Sequence, residues 1–202
     1  HRTVQGSFKD TEKADEKQNI GGLSVSLPDI CVVDTNVPKV ANLAIAPDPN
    51  SDIDLDCIQA CVGAIEHVMK HCLVIDEGGE IFEEYRGELP MKGQGGVGSC
   101  FMKWVNNHRW GGTVIQQVAI HKEGNSYQEF PNNPGLEDFD LADRKFVAVA
   151  NAHEGKPPIL QAVDSKWVGW KAALTVEGIQ VHFLCPEYTK AKCEKKNKKN
   201  SV

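Results

Sequence analysis

Short apolar runs alternate with stretches of helical periodicity along most of this chain. Between residues 54 and 72, apolar side chains recur at steps of three or four, which predicts an amphipathic helix. Similar patterns predict helices over residues 80–89, 97–107, 141–153 and 166–176. Runs with the length and flanking residues of strands lie at 30–33, 73–75, 114–120, 159–163 and 179–184. This alternation predicts an α/β fold in which helices flank a mostly parallel central sheet.

The two ends of the chain differ in composition from the middle. Residues 1–22 are polar and lack apolar periodicity, so we expect a flexible N-terminal arm. Residues 189–202 are rich in lysine, which predicts a basic flexible tail. Residues 23–188 then form one domain, and residues 114–131 within it predict a β-hairpin insertion.

Composition fits one globular domain of modest size. The chain has 202 residues, of which 41% are hydrophobic and 25% charged. No apolar run approaches the roughly 18–20 residues that span a bilayer. The seven cysteines lie mostly inside apolar segments, so we expect reduced thiols and a cytoplasmic location. The net charge of −6 argues against a broad nucleic-acid clamp but not against a local basic patch.

Four carboxylates occupy positions from which they could converge. Asp34 follows the first predicted strand and Asp164 follows the fourth. The carboxyl ends of parallel strands share one edge of the sheet, where ligand sites of such folds lie. Asp143 opens one predicted helix, and Glu84 lies in another, with Glu83 turned about 100° away from it. Four converging carboxylates predict a cation site.

The segments around these acids follow a characteristic order. They are Asp-Thr-Asn at 34–36, Phe-Glu-Glu-Tyr-Arg at 82–86, Asp-Arg-Lys-Phe-Val-Ala-Val-Ala at 143–150 and Asp-Ser at 164–165. In this order and spacing, residues 28–185 resemble a PIN-domain nuclease. The resemblance implies a PIN-like, Rossmann-like three-layer fold, and the hairpin is an addition that a minimal PIN domain does not require.

The same resemblance assigns roles to individual residues. It makes Asp34, Glu84, Asp143 and Asp164 both catalytic residues and metal ligands. Asn36 and Ser165 become polar supports, and Asp140 an additional acid. The basic residues expected to bind substrate are Arg144, Lys145 and Lys166, although Arg144 and Lys145 could instead pair with Asp140 or Glu84.

Carboxylate oxygens are the ligands that Mg²⁺ and Mn²⁺ prefer. Together with this chemistry, the resemblance implies a divalent-metal-dependent endonuclease that hydrolyses phosphodiester bonds, with RNA favoured over DNA. The resemblance to PIN toxins implies a toxin-like or defence-system ribonuclease, with an inhibitor protein, a larger complex or a homo-oligomer as further partners. The alternative is a non-catalytic PIN-like module that binds nucleic acid or serves as a scaffold.

Other signals in the chain are weaker. Gly93–Gly98 fits the pattern G-x-G-x-x-G but follows a predicted helix instead of a strand, which favours an interhelical loop over a dinucleotide site. Asn36 stands where a phosphatase with an aspartyl nucleophile needs a second acid. Cysteines 57 and 61 and histidines 67 and 71 lie on different faces of one predicted helix, so they do not predict one zinc site.

Overall fold

The computed structural model describes residues 26–91 and 95–199. The predicted helix over residues 54–72 is confirmed as α2, which begins after Asp54, whose side chain accepts a hydrogen bond from the Cys57 amide at 2.7 Å. The elements in chain order are β1 (Ile30–Val33), α1 (Asn36–Asn42), α2 (Leu55–Lys70), β2 (Cys72–Asp76), α3 (Glu80–Glu88), α4 (Val97–His108), β3 (Ile115–Val118), β4 (Lys122–Glu123), β5 (Ser126–Tyr127), a 3₁₀ turn (Pro134–Leu136), α5 (Arg144–Ala152), β6 (Ile159–Gln161), α6 (Lys166–Val176), β7 (Val181–Phe183) and α7 (Pro186–Lys199).

Among the described residues, five strands form the central sheet in the order β3-β2-β1-β6-β7, and every neighbouring pair is parallel. Strand β1 lies in the middle, with Val32 aligned to Ile159 of β6. Helix α1 packs on α2 and α4, while α5 packs over β1 and β2. The predicted α/β three-layer class is confirmed. All five carboxyl ends therefore share one edge, and the strand order reverses between β1 and β6.

The hairpin is confirmed, but it is smaller than predicted. Strands β4 and β5 pair antiparallel, and Gly124 occupies the turn with a φ of +59°, a left-handed conformation that favours glycine. The prediction that the hairpin begins at residue 114 is wrong. Ile115 is fully buried, and Ile115–Val118 pairs with β2 as the edge strand of the main sheet.

The prediction of a flexible tail over residues 189–202 is also wrong up to residue 199, because these residues belong to helix α7. The first turns of α7 have partners that hold them against the domain. The Tyr188 hydroxyl donates to Asp52 at 2.7 Å, Lys192 pairs with the same carboxylate at 3.4 Å, and Thr189 is buried. The predicted arm over residues 1–22 and residues 200–202 lie outside the described residues.

The expectation that all cysteines are reduced is wrong for one pair. Cys57 on α2 and Cys185 just before α7 form a disulfide, with Cα atoms 5.1 Å apart. The two residues are 128 positions apart, so sequence spacing gave no indication of their proximity. The other five cysteines are free thiols, and that of Cys61 lies 4.0 Å from the Cys185 sulfur.

Gly98, in the first turn of α4, allows this helix to pack closely on α1. A Cβ atom on Gly98 would lie 2.0 Å from the carbonyl oxygen of Pro38 in α1, so only glycine permits this approach. Residues 92–94 of the G-x-G-x-x-G pattern lie outside the described residues. Across the described ranges 26–91 and 95–199, none of the helices has the length and apolar character needed to cross a membrane.

Candidate functional site

Asp34 lies at the centre of the carboxyl edge of the sheet, immediately after β1, and only 5% of it is exposed. Its Oδ1 accepts the Asn36 backbone N–H at 2.8 Å, and its Oδ2 accepts the Gln161 side-chain amide at 3.2 Å. These two bonds hold the carboxylate in place but supply no positive charge. Asp34 is thus a buried acid oriented by neutral donors.

The four predicted acids form one electrostatic cluster. Burial raises the pKa of Asp34 well above its usual range, and the charge of Asp143 raises it further. The charges of Glu84 and Asp164 act in the same direction, and the Asn36 N–H opposes them. The fold therefore brings together the acids that the sequence predicted to converge.

Asn36 links the two central strands, as its predicted supporting role requires. Its side chain donates to Gln161 Oε1 at 2.5 Å and accepts the Ala162 N–H at 2.9 Å. The same Gln161 oxygen accepts the Asp164 N–H at 3.3 Å. Sequence reasoning missed Gln161, a fully buried polar residue at the end of β6. The available signal was a glutamine within an otherwise apolar strand.

Glu84 points into the cluster from α3. Its Oε1 accepts the Thr35 hydroxyl at 2.5 Å, and its Oε2 lies 2.5 Å from the Lys145 ammonium. Glu83 instead pairs with Arg86 at the surface, so the predicted divergence of the two glutamates is confirmed. Thr35 was missed, although it sits inside the Asp-Thr-Asn turn.

Lys145, predicted to bind substrate, is an internal partner of the acids. Only 11% of its side chain is exposed, compared with 25% for that of Glu84. Its ammonium also donates to the Ala142 carbonyl. The pairing with Glu84 that the sequence left open is therefore present. The ammonium thus places a positive charge inside the acidic cluster.

Asp143 stands immediately before α5, but its side chain makes no helix-capping hydrogen bond. Instead its Oδ2 accepts the indole N–H of buried Trp167 at 3.2 Å. Burial raises the pKa of Asp143 to about 6, the Trp167 bond lowers it, and the charges of Asp140, Asp164 and Glu84 raise it. The helix-dipole explanation for this acid is thus insufficient.

Asp164, Asp140 and Lys166 form the outer part of the site. Asp164 Oδ1 accepts the Lys166 N–H at 2.9 Å, and the Lys166 ammonium pairs with Asp140 at 2.7 Å. This Lys166 bond lowers the pKa of Asp140, and the Ala142 N–H lowers it further. Ser165 is buried at the N-terminal cap position of α6, and its carbonyl accepts the Cys193 thiol at 3.4 Å.

Arg144, also predicted to bind substrate, holds the preceding loop. Its guanidinium donates to the carbonyls of Glu137 at 2.7 Å and Phe139 at 3.3 Å, and it lies 4.6 Å from the centre of the Phe130 ring. These contacts are structural. Of the three predicted basic residues, Lys166 is the most open to an external anion, because half of its side chain is exposed.

A further acid, Asp76, ends β2 at the same edge of the sheet and was not predicted. It is fully buried, and its two oxygens accept the N–H groups of Glu80 at 2.7 Å and Ile81 at 2.8 Å. These bonds cap the N-terminus of α3. The available signal was an acid directly after a strand, as for Asp34. Its role is to fix the helix that carries Glu84.

The acids are spaced more widely than the ligands of one bound ion. Within the described residues, two groups of three donor side chains bring their ligand atoms within 4.8 Å of one another, and neither includes these acids. Mutual repulsion among carboxylates accounts for such spacing. The donor set nevertheless fits Mg²⁺ or Mn²⁺ chemically, because it consists of carboxylate oxygens at a buried point.

Asp143→Asn is expected to flatten the pH dependence of stability in metal-free protein. The folded pKa of about 6 exceeds the ordinary 3.8, so this acid stabilises the fold below about pH 4, and that contribution is lost as pH rises through 6. Ionisation of Asp143 over this range should lower the free energy of unfolding of the parent by about 2–3 kcal/mol. Urea unfolding between pH 4 and 7.5 in chelator measures it. Asp138→Asn, which replaces an exposed acid, is the control. If the free energy of unfolding changed with pH equally in the parent and in Asp143→Asn, the account would be contradicted.

Comparison of this chain with protein-family profiles, curated proteins and solved structures gives no match. The resemblance to PIN-domain nucleases therefore depends on the residues described above, and family membership stays a prediction.

Proposed function

We propose that the protein is a divalent-metal-dependent endonuclease that hydrolyses phosphodiester bonds, with RNA as the favoured substrate. One observation carries the proposal: Asp34 is a buried carboxylate whose pKa is raised by burial and by three neighbouring acids. Structural acids are usually paired or left in water, whereas strongly perturbed acids concentrate at functional sites. A divalent cation is the partner that offsets this concentration of negative charge.

The residues that would hold Mg²⁺ or Mn²⁺ are Asp34, Glu84, Asp143 and Asp164. When bound, such an ion lowers the pKa of a coordinated water and offsets charge on the reacting phosphate. The protein contributes a fixed geometry, because the Asn36 and Gln161 side chains orient Asp34 from both central strands. Thr35 does the same for Glu84.

Substrate contact is best supported on the side of the hairpin. A groove runs between the hairpin and the segment before α5, and its lining includes Lys122, Tyr127 and Leu141. Lys122 pairs with Glu80 and Lys166 with Asp140, both at 2.7 Å, and the two lysine side chains are 64% and 50% exposed. Exposed pairs of this kind contribute little to stability, so a phosphate can replace the carboxylate partner at low cost.

The role and location within a cell belong to the same proposal. A toxin-like or defence-system ribonuclease would act in the cytoplasm, where RNA is its substrate. An inhibitor protein or a larger complex would then limit its activity. In a reducing cytoplasm the Cys57–Cys185 pair would be held as thiols, whereas an oxidising compartment would preserve the disulfide.

A specific observation also favours the alternative, a non-catalytic module that binds nucleic acid or serves as a scaffold. The Lys145 ammonium already lies 2.5 Å from Glu84 and supplies a positive charge within the cluster. In a scaffold, the Lys145–Glu84 ion pair would persist and no metal ion would be needed. In a metal-dependent nuclease, the other acids still need a divalent ion, and the lysine neutralises only Glu84.

Lys145→Met separates the two functions. It leaves Glu84 without its cation, so we expect the metal-free protein to lose about 2–4 kcal/mol of unfolding free energy. A nuclease site should recover much of this loss in millimolar Mn²⁺, because the ion binds only the native state. Thermal and urea unfolding with Mn²⁺ or EDTA measures both effects.

Lys39→Met is the matched control for that variant. The Lys39–Glu88 pair has the same 2.5 Å separation, but each side chain is 49% exposed, so its loss should cost under about 1 kcal/mol. A destabilised Lys145→Met protein that Mn²⁺ does not restore would favour the scaffold.

The direct test of the proposed function is cleavage of labelled RNA and single-stranded DNA in Mn²⁺, Mg²⁺ or EDTA. We expect internal cleavage of RNA that requires the divalent ion and stops in EDTA. Cleavage that persists in EDTA, or no cleavage of either substrate with either ion, would count against the nuclease.

A further inference from the structure

A second cluster of donor side chains lies at the opposite end of β1 from the acids. Asp29 immediately precedes β1, His67 lies in the last turn of α2, and His71 follows that helix. Asp29 and Asp34 are five positions apart along extended chain, a distance of roughly 16 Å. The ligand atoms of these three residues all lie within 4.8 Å of one another.

The distances from Asp29 to the two histidines are near those between ligands of a tetrahedral metal site. His71 Nε2 lies 3.5 Å and His67 Nε2 3.8 Å from the same Asp29 oxygen. Metal–nitrogen distances of about 2.0–2.1 Å place neighbouring ligand atoms about 3.3 Å apart in a tetrahedral site. The two distances to Asp29 exceed this value by no more than about half an ångström. The two imidazole rings are stacked, with centroids 3.9 Å apart and an angle of 22° between their planes, so one ring must rotate before both Nε2 lone pairs meet at one ion.

The backbone orients the His71 ring for binding. Its Nδ1 lies 2.8 Å from the His67 carbonyl oxygen, which can only accept, so Nδ1 carries the proton. In the neutral ring, Nε2 then presents its lone pair towards Asp29. Metal-binding histidines are commonly fixed in this way, by a carbonyl that binds the other ring nitrogen.

His67 is held differently. Its Nε2 lies 3.2 Å from the Pro28 carbonyl oxygen, so in the metal-free state this nitrogen donates a proton to the carbonyl. A cation can bind Nε2 once the neutral ring changes tautomer, so that its single proton moves from Nε2 to Nδ1 through solvent and no net proton is released. The Pro28 carbonyl then lies beside the cation as a further oxygen. The Asp29 side chain is 78% exposed, which leaves a path of entry.

We propose that Asp29, His67 and His71 bind a first-row transition-metal ion of the Zn²⁺ class. Imidazole nitrogen favours Zn²⁺, Co²⁺ and Ni²⁺ over Mg²⁺ and Mn²⁺, so this site and the acidic cluster select different ions. The bound ion would tie the start of β1 to the end of α2. The inference does not depend on the proposed nuclease activity.

Zn²⁺ titration in competition with a chromogenic chelator tests the site on the full chain, with Co²⁺ absorption as a second readout. The variants are His67→Ala, His71→Ala and Asp29→Asn. His108→Ala is the matched control, because His108 Nδ1 contacts the Trp104 carbonyl at 2.8 Å, the same contact four residues back along a helix. Circular dichroism and the unfolding transition confirm that each variant is folded.

We expect one Zn²⁺ per chain, with affinity reduced at least tenfold in each of the three variants and unchanged in His108→Ala. Millimolar Mg²⁺ should not compete, and Co²⁺ should give the intense visible absorption of a tetrahedral site. The proposal would be overturned if the parent bound no Zn²⁺ at concentrations of about 100 µM. It would also be overturned if both His67→Ala and His71→Ala bound Zn²⁺ with the affinity of the parent.

Discussion

Asp34→Asn should lower Mn²⁺-dependent RNA cleavage by at least about a hundredfold while making the metal-free protein more stable. The substitution removes the charge at the centre of the cluster, where burial and three acids oppose ionisation. Asparagine keeps one acceptor oxygen but not two, so either the Asn36 or the Gln161 hydrogen bond is lost. The relief of repulsion between Asp34 and the other acids should exceed the cost of the lost hydrogen bond. The free energy of unfolding should therefore rise by about 1 kcal/mol at pH 7.5.

These opposite effects distinguish a functional acid from a structural one. Initial cleavage rates in Mn²⁺ and urea unfolding in EDTA should be measured on the same preparations. Asp138→Asn removes an exposed acid of the loop before α5 and should change neither quantity appreciably. If Asp34→Asn cleaves RNA as fast as the parent, Asp34 is not part of the catalytic site.

Replacing both Cys57 and Cys185 by alanine should lower the free energy of unfolding by about 3–5 kcal/mol under oxidising conditions. The bond closes a loop of 128 sequence positions, so it restricts the unfolded chain strongly, and it joins α2 to the start of α7. Urea unfolding with and without reductant measures the effect. The parent in reductant should approach the stability of the double variant.

Cys100→Ala is the control for this pair, because Cys100 is an exposed free thiol. Its stability should differ from the parent by under about 0.5 kcal/mol. A parent that is equally stable with and without reductant would show that the disulfide does not contribute to folding stability.

The architecture of this fold follows from local sequence patterns. The strand 30–33, the helix 54–72 and the acids that follow strands could all be predicted because periodicity and strand ends are local properties. Parallel pairing then brings the carboxyl ends to one edge, which is why Asp34 and Asp164 converge. The position of the acids is thus largely a consequence of topology.

What the sequence did not predict depends on contacts between distant segments. Gln161 faces Asp34 across 127 positions. For Lys145 the sequence left substrate binding and pairing with Asp140 or Glu84 open, and only the fold selects Glu84, 61 positions away. The Cys57–Cys185 disulfide and the docking of α7 are likewise long-range. Val114–Val118 was assigned to the hairpin because a strand-like run carries no information about its partner.

The most direct test of the cation site is anomalous scattering from a crystal of the protein soaked in Mn²⁺. We predict a manganese peak within about 2.2 Å of a carboxylate oxygen of Asp34, with at least one of Asp143, Asp164 and Glu84 as a further ligand. The Lys145 ammonium should then have moved away from any ligating Glu84 oxygen. No peak at the acids in millimolar Mn²⁺, with Lys145 still paired to Glu84, would contradict a metal-dependent nuclease.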